Sequence, residues 1–174
     1  DAIIEFDLTP NRADALSMRG VGYEVAALLN QTPNFKETSL TEDSSEKIED
    51  YLSVSVENQE DTLDYRMRIV KDVEIGESPL WMQHKLIHAG IRPIDLIVDI
   101  TNYVMLEFGQ PLHAFDYDKL ESNKIHVRRA NTGEEFVTLD GQNRKLNNDN
   151  LVITNGEKAV ALAGVMGGEN SQIT

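Results

Sequence analysis

Hydrophobic and polar residues alternate with a period of two in several short stretches, which is the pattern of strands that bury one face. The pattern predicts strands at residues 1–7, 52–57, 65–71, 124–129, 135–139, 151–154 and 159–165. Asp140 and Gly141 follow one of these runs and form a typical hairpin-turn pair. Short strands at this density favour mainly antiparallel sheets.

Other stretches show helical spacing. Residues 13–30 predict an amphipathic helix with Asp14 at the N-cap, and Gly20 and Gly22 inside it indicate close packing or a sharp bend. A second helix is expected to start with Ser78 as N-cap and Pro79 at its first position, and to end at Gly90. The apolar side chains expected to face the core from this second helix are Trp81, Met82, Leu86 and Ile87.

Residues 93–108 are ambiguous, because a short apolar run fits either a buried strand or a helix. The preferred interpretation is a helix at 93–98 followed by a strand at 102–108. A helical turn is predicted at 117–120. Together the elements predict an α+β fold: mainly antiparallel sheets in β-sandwich-like layers with a few flanking helices, preceded by a small strand-helix segment.

The amino-acid composition is consistent with this fold and excludes several classes of site. The chain has 174 residues, 40% of them hydrophobic, and no cysteine, which excludes disulfides and thiolate metal sites. No apolar run approaches the roughly 18–20 residues that cross a membrane, so a cytoplasmic protein with no membrane partner is expected. The polar stretch 37–50 predicts a linker and a boundary between residues 1–40 and 41–174.

The net charge of −14 argues at first against a nucleic-acid partner. The charge is uneven, however. Residues 36–64 hold two lysines and ten acidic residues, whereas residues 66–130 hold nine basic and nine acidic residues. The central part of the chain is therefore neutral enough to approach RNA, and the excess acid favours solubility.

Two pairs of residues have a spacing that could serve metal binding or acid–base chemistry. His84 and His88 have the spacing of metal ligands on one helix face, but the residues between them lack the HExxH glutamate, so no metal site is expected. Asp95 and Asp99 are four apart and would suit acid–base work. Helix capping and an ion pair with Arg92 or Lys85 are the simpler expectation for them.

The most polar part of an otherwise apolar region is residues 91–116, where Asn102, Gln110 and His113 lie among hydrophobic residues. Buried polar groups cost roughly 1–3 kcal/mol each unless they are hydrogen-bonded. The segment therefore predicts an internal network or the wall of a pocket. Small residues at 161–169 favour either close approach of a ligand or tight packing of strands.

Three long motifs carry a family resemblance. SPLWMQHKLIHAGIRPIDLIVDITNYVMLEFGQPLHAFD resembles the editing domain of the bacterial phenylalanyl-tRNA synthetase beta subunit. LTPNRADALSMRGVGYEVAALL is similar to the segment just before that domain, and LVITNGEKAVALAGVMGGENSQIT to its distal part. The resemblance covers nearly the whole chain, with residues 1–40 in the preceding domain and 41–174 in the tRNA-editing domain.

The resemblance implies an enzyme. The intact synthetase joins phenylalanine to tRNA(Phe) with ATP and Mg²⁺, as an α2β2 assembly whose alpha subunit carries the aminoacylation site. The editing domain hydrolyses Tyr-tRNA(Phe), because a pocket for a phenyl ring rejects an added hydroxyl only weakly. No cofactor is implied for this region, no DNA partner is expected, and a non-catalytic tRNA- or subunit-binding module is the alternative.

The motifs also imply an editing pocket. His113 is expected to position the ester or the attacking water, and Arg92 and Asn102 to hold the 3′ end of the tRNA. Thr101, Ala114, Met166 and Gly167 would complete the lining. The acidic residue for the tyrosine hydroxyl is expected beyond Thr174, so the editing domain is expected to be truncated and the isolated chain to be weak or inactive.

Overall fold

The computed structural model describes residues 2–173, which form two compact units. The first unit joins the chain up to residue 41 with residues 73–114, and the second joins residues 42–72 with the chain from 115 onward. Helices dominate the first and strands the second, so the predicted α+β class is confirmed. Within the described residues, no helix has both the length and the apolar character that crossing a membrane requires.

Helix α1 of the first unit spans Met18–Leu28 and begins later than predicted. Its N-cap is Ser17, whose hydroxyl accepts the Gly20 N–H at 3.0 Å, so the prediction of Asp14 as N-cap is wrong. Ala13–Ala15 form a separate 3-10 turn instead. A Cβ at Gly20 would lie 1.9 Å from the Asp14 carbonyl oxygen, which confirms the close packing expected at this glycine.

Helix α2 spans Leu80–His88. Pro79 occupies the N-cap with an extended ψ of 142°, so the helix begins one residue later than predicted, and the Ser78 side chain does not cap the helix. Met82 and Leu86 are buried as expected. Trp81 and Ile87 are 52% and 54% exposed, so their assignment to the core was wrong. Gly90, with φ 78°, ends the helix as predicted.

Helix α3 spans Leu96–Phe108, so the strand predicted at 102–108 does not form. The Asp95 carboxylate accepts the N–H groups of Ile97 and Val98 at 2.9 and 3.0 Å, and Gly109 ends the helix with φ 77°. A cap at each end outweighs the modest cost of β-branched residues inside a helix.

The Arg19 side chain of α1 contacts α3 within the first unit and links the two helices. Its guanidinium lies 4.1 Å from the Phe108 ring centroid and 5.0 Å from that of Phe35. It also donates to the Glu107 carboxylate at 3.2 Å. One side chain thus combines an ion pair with two cation–π contacts.

Two predicted strands are absent from the described residues. Residues 2–8 adopt no regular structure and are almost entirely exposed, so alternation there reflects no buried face. Residues 65–71 also join no sheet. Tyr65, Met67 and Ile69 nevertheless pack against the core of the second unit, so the alternation predicted the buried side chains and not the backbone pairing.

The second unit is built on a mixed sheet. Its strands are β1 (Ser53–Val56), β2 (Lys124–Arg129), β5 (Leu151–Thr154), β6 (Ala159–Leu162) and β7 (Met166–Gly167), in the order β1-β2-β5-β6-β7. β1 pairs with β2 in parallel, and the other pairs are antiparallel. The predicted 159–165 run is divided between β6 and a turn before β7. The predicted helical turn is present at Asp118–Leu120.

A separate hairpin joins β3 (Glu135–Val137) to β4 (Asn143–Lys145). The predicted turn at Asp140 and Gly141 lies between these strands, and Gly141 has φ 73°. Two hydrophobic clusters fill the unit. One centres on β1, β2, β5 and β6, and the other packs Phe136 and Leu146 against Val152.

Gly168 is expected to be intolerant of a side chain. A Cβ there would lie 2.4 Å from Asn170 Oδ1 and 2.8 Å from two carbons of the Phe136 ring. We expect Gly168→Ala to destabilise the second unit by about 2 kcal/mol, the range of overpacked cores. Urea denaturation followed by tyrosine fluorescence measures this. Gly76→Ala is the matched control, since no atom lies within 4 Å of its added Cβ, and equal stability of both variants would contradict the packing.

Candidate functional site

The loop between α2 and α3 is held by a buried carboxylate. Asp99, 1% exposed, accepts the Ser78 hydroxyl at 2.5 Å and the Ile94 N–H at 2.9 Å. Capping by Asp95 is confirmed, but the ion pair expected for Asp99 is replaced by these neutral donors. Because Ser78 precedes α2 and Ile94 precedes α3, the Asp99 carboxylate ties the start of α2 to the end of the loop that carries Arg92.

Arg92 lies in the loop at this corner and is exposed. Among residues 2–173, its guanidinium has neither an ion pair nor a hydrogen bond. A guanidinium offers five N–H donors in a planar fork that fits phosphate oxygens. Arg92 is therefore free to bind an anionic group, and its role in holding the 3′ end of the tRNA stays a prediction.

Thr101 and Asn102 are consecutive half-buried residues of α3, but their polar groups differ. The Thr101 hydroxyl already donates to the Val98 carbonyl at 2.7 Å. The Asn102 side-chain amide makes no hydrogen bond within the part of the chain that the structure describes. Asn102 thus has an unused donor and an unused acceptor, whereas Thr101 retains only acceptor capacity.

His113 and Ala114 lie in the irregular segment after α3. More than a third of the His113 surface is exposed, yet desolvation of the covered part lowers the pKa of its imidazole below the ordinary 6.5. The ring is therefore mainly neutral at pH 7 and has one nitrogen that accepts a proton. Ala114 is half-buried and contributes a methyl group.

Met166 and Gly167 belong to the second unit, whereas the other five predicted site residues lie in the first. Both form β7, opposite Leu162 and Ala161 of β6. Gly167 is buried, and its carbonyl accepts the Leu139 N–H at 3.1 Å. The small residues here serve strand packing at least in part.

Two cavities of the second unit are lined by residues other than the predicted site residues. One, of about 310 Å³, is lined by Val137, Glu169 and Asn170. The other, of about 200 Å³, is lined by Lys119, Glu121, Asn155, Lys158, Val160 and Asn170. Neither lining contains Met166 or Gly167 among the described residues.

His84 and His88 have exposed rings with centroids 6.3 Å apart. Over residues 2–173, no group of three or more His, Cys, Asp or Glu side chains is placed to hold a metal ion. The positioning pair Ser78–Asp99 was missed from the sequence. The available signal was Asp99, four residues after the capping Asp95. Side chains four residues apart share a helix face, so the Asp99 side chain points back toward the start of α3.

Comparison with known proteins extends these observations. The chain is 58% identical over 173 residues to the phenylalanine–tRNA ligase beta subunit of Geobacillus kaustophilus, across 99% of this chain and 21% of that protein. It is 55% identical over 174 residues to the subunit of the same name from Shouchella clausii, with coverages of 100% and 21%. For Bacillus subtilis the identity is 56% over 173 residues, with coverages of 99% and 21%.

The chain thus spans about a fifth of the length of these relatives. The resemblance drawn from the three motifs is confirmed by these identities. The predicted boundary at residue 41 remains a prediction. The pattern of the B3/4 domain family matches residues 61–174, about two thirds of the chain. On this match, the chain belongs to the B3/4 domain family.

Proposed function

We propose that this chain is part of the beta subunit of a phenylalanine–tRNA ligase and that its B3/4 region hydrolyses tyrosine mischarged on tRNA(Phe). The proposed intact enzyme is cytoplasmic, contains an alpha subunit in an α2β2 assembly, and uses ATP and Mg²⁺ for aminoacylation. The relatives' names and their identity over nearly this whole chain support the subunit assignment.

One observation carries the hydrolytic part of the proposal. The first unit combines the neutral imidazole of His113 with two side chains, Arg92 and Asn102, whose polar groups are unused within the described residues. A stable fold does not require polar side chains that make no hydrogen bond or ion pair within the protein. They suit an anionic, hydrogen-bonding ligand such as the end of a tRNA.

The proposed reaction is ester hydrolysis by water. The oxygen of water adds to the carbonyl carbon of the tyrosyl ester, and the bond to the ribose oxygen breaks. The ribose oxygen takes up the proton that the water gives up, and free tyrosine and tRNA result. His113 orients the water and accepts a hydrogen bond from it, with help from the free terminal hydroxyl of the tRNA. Arg92 contacts phosphate and Asn102 the terminal nucleotide. Thr101 and Ala114 of the first unit supply lining contacts.

The contrast between Asn102 and Thr101 gives a matched test. In the assembled synthetase, Asn102→Ala should raise KM for Tyr-tRNA(Phe) deacylation about tenfold, since one hydrogen bond to a ligand is lost. Thr101→Val should change it less than about threefold, because the Thr101 hydroxyl donates internally to Val98. Steady-state deacylation kinetics measure both. Binding of the tRNA without any hydrolysis by the wild-type enzyme would instead identify a non-catalytic module.

A further inference from the structure

The outward face of helix α2 carries aromatic and cationic side chains in a row. Trp81, His84, Lys85 and His88 follow helical spacing and are all exposed, and Tyr103 of α3 lies beside Trp81. We call these five residues the aromatic stripe. Trp81 alone leaves 52% of its surface uncovered, which is unusual for the largest apolar side chain.

The rings of the aromatic stripe leave stacking surface open. Trp81 and Tyr103 meet nearly at right angles, 87°, with centroids 5.4 Å apart. A perpendicular contact covers at most one face of the indole. The Lys85 ammonium lies 5.6 Å from the Trp81 centroid and 5.1 Å from the Tyr103 centroid, and donates to the Tyr103 hydroxyl at 3.2 Å. A cation thus lies over both rings, while more than half of the Trp81 surface stays exposed.

The charge of this face is the opposite of the chain's. The chain carries 30 acidic and 16 basic residues, yet α2 contains no acidic residue. Lys85 has no carboxylate partner among residues 2–173. Arg92, four residues beyond the end of α2, adds a second unpaired cation. The aromatic stripe is therefore complementary to a partner that combines flat rings with negative charge.

We infer that the aromatic stripe binds single-stranded RNA, with unpaired bases stacked on Trp81 and the imidazoles and with Lys85 against a phosphate. Aromatic platforms flanked by cations are the usual means of holding unpaired nucleotides. The stripe is about 10 Å long from the rise of α2, room for roughly three stacked bases. The inference deepens the proposed function and rests on it for the identity of the RNA as the unpaired end of a tRNA.

Trp81 is the chain's only tryptophan, so its fluorescence reports on the stripe alone. Titration of the 174-residue chain with five-nucleotide single-stranded RNA should quench this fluorescence, and a blunt RNA hairpin should not. With fluorescein-labelled RNA and anisotropy, Trp81→Ala should weaken binding roughly 5- to 150-fold, the range for loss of one stacked base. Absence of quenching by single-stranded RNA would overturn the inference.

Charge variants distinguish RNA binding at the aromatic stripe from nonspecific electrostatic attraction to the chain. Lys85→Gln should reduce the slope of log affinity against log salt by about 0.7, the value for one phosphate contact on a single strand. Lys145→Gln removes the same charge from β4 in the second unit and should leave affinity and slope unchanged. Circular dichroism of each variant checks folding. Equal effects of the two lysine variants would contradict a specific site.

Kinetics of the assembled synthetase distinguish the inference from the proposed function. Trp81→Ala should raise KM for Tyr-tRNA(Phe) deacylation and leave kcat within about twofold, since the stripe contacts only the bound RNA. If the wild-type enzyme does not hydrolyse Tyr-tRNA(Phe) but single-stranded RNA still quenches Trp81 fluorescence, the proposed function is wrong and the inference stands. If Trp81→Ala leaves hydrolysis and its KM unchanged, the inference is wrong. A change in oligomeric state on Trp81→Ala without an effect on RNA binding would also contradict the inference and would identify the stripe as a protein interface.

Discussion

Replacing His113 by alanine in the assembled synthetase should lower kcat for Tyr-tRNA(Phe) hydrolysis about 100-fold, the lower end of the contribution of positioned acid–base groups. Phenylalanylation should be unchanged, because the proposed aminoacylation site is in another subunit. Single-turnover deacylation and aminoacylation of the same preparation measure both. His126→Ala is the control, since His126 instead hydrogen-bonds Ser55 on the sheet of the second unit.

The pH dependence follows from the lowered pKa of His113. The neutral imidazole accepts a hydrogen bond from water, so kcat/KM, which reports the pKa values of the free enzyme, should fall as the pH drops through this lowered pKa. The acid limb should therefore lie below pH 6.5, the ordinary value. Since the unfolded chain binds this proton more readily, stability should also decline below that pH. An acid limb unaltered in His113→Ala would remove His113 from the reaction.

Replacing Asp99 by alanine should destabilise the first unit by about 3–4 kcal/mol. The change leaves the Ser78 hydroxyl and the Ile94 N–H without their acceptor in a buried site, and an unsatisfied buried donor costs about 1–3 kcal/mol. A small cavity adds to this. Urea denaturation followed by Trp81 fluorescence measures the effect, because Trp81 lies in the same unit.

Two variants sharpen this test. Asp95→Asn removes the same charge from the same helix but should cost only a few tenths of a kcal/mol, since asparagine caps helices as well as aspartate. The double variant Ser78→Ala with Asp99→Ala should lose less stability than the sum of the two single variants, because each single change removes the same Ser78–Asp99 hydrogen bond. Strict additivity, or a loss below about 0.5 kcal/mol for Asp99→Ala, would show that the Asp99 network is not needed.

The sequence predicted the strands of the second unit well, for a physical reason. β2 and β5 alternate or run apolar over short lengths and end at turn residues. β2 buries its apolar side chains in one core, and β5 contributes Ile153 to that core and Val152 to the other. Residues 65–71 show the limit of this signal. Side-chain alternation reports which face is buried, whereas a strand also requires a hydrogen-bonded neighbour, which the local sequence does not specify.

Helix α3 was mispredicted because its β-branched residues resemble a strand. The decisive signals were at its ends, where Asp95 and Gly109 are typical N- and C-terminal caps. The stripe on α2 was missed for a related reason: Trp81 was assigned to the core by its hydrophobicity, although the buried positions Met82 and Leu86 leave Trp81 on the outer face.

The polar pattern of residues 91–116 indicated an internal network or a pocket wall, but the roles of individual residues could be predicted only through the resemblance. No spacing in the sequence connects Arg92, Asn102 and His113. The structure adds what the motifs could not show: within residues 2–173 the Asn102 side chain makes no hydrogen bond, whereas the Thr101 hydroxyl donates to the Val98 carbonyl. Hydrogen-bond partners of this kind depend on the folded backbone.

The central claim is that the B3/4 region removes tyrosine from tRNA(Phe). Its most direct test is the rate at which the wild-type synthetase, assembled with this chain in its beta subunit, deacylates purified Tyr-tRNA(Phe) and Phe-tRNA(Phe). The account predicts hydrolysis of Tyr-tRNA(Phe) at least about 100-fold faster than that of Phe-tRNA(Phe), the discrimination expected of a second sieve. Equal rates for the two, or no hydrolysis above that in buffer, would contradict it.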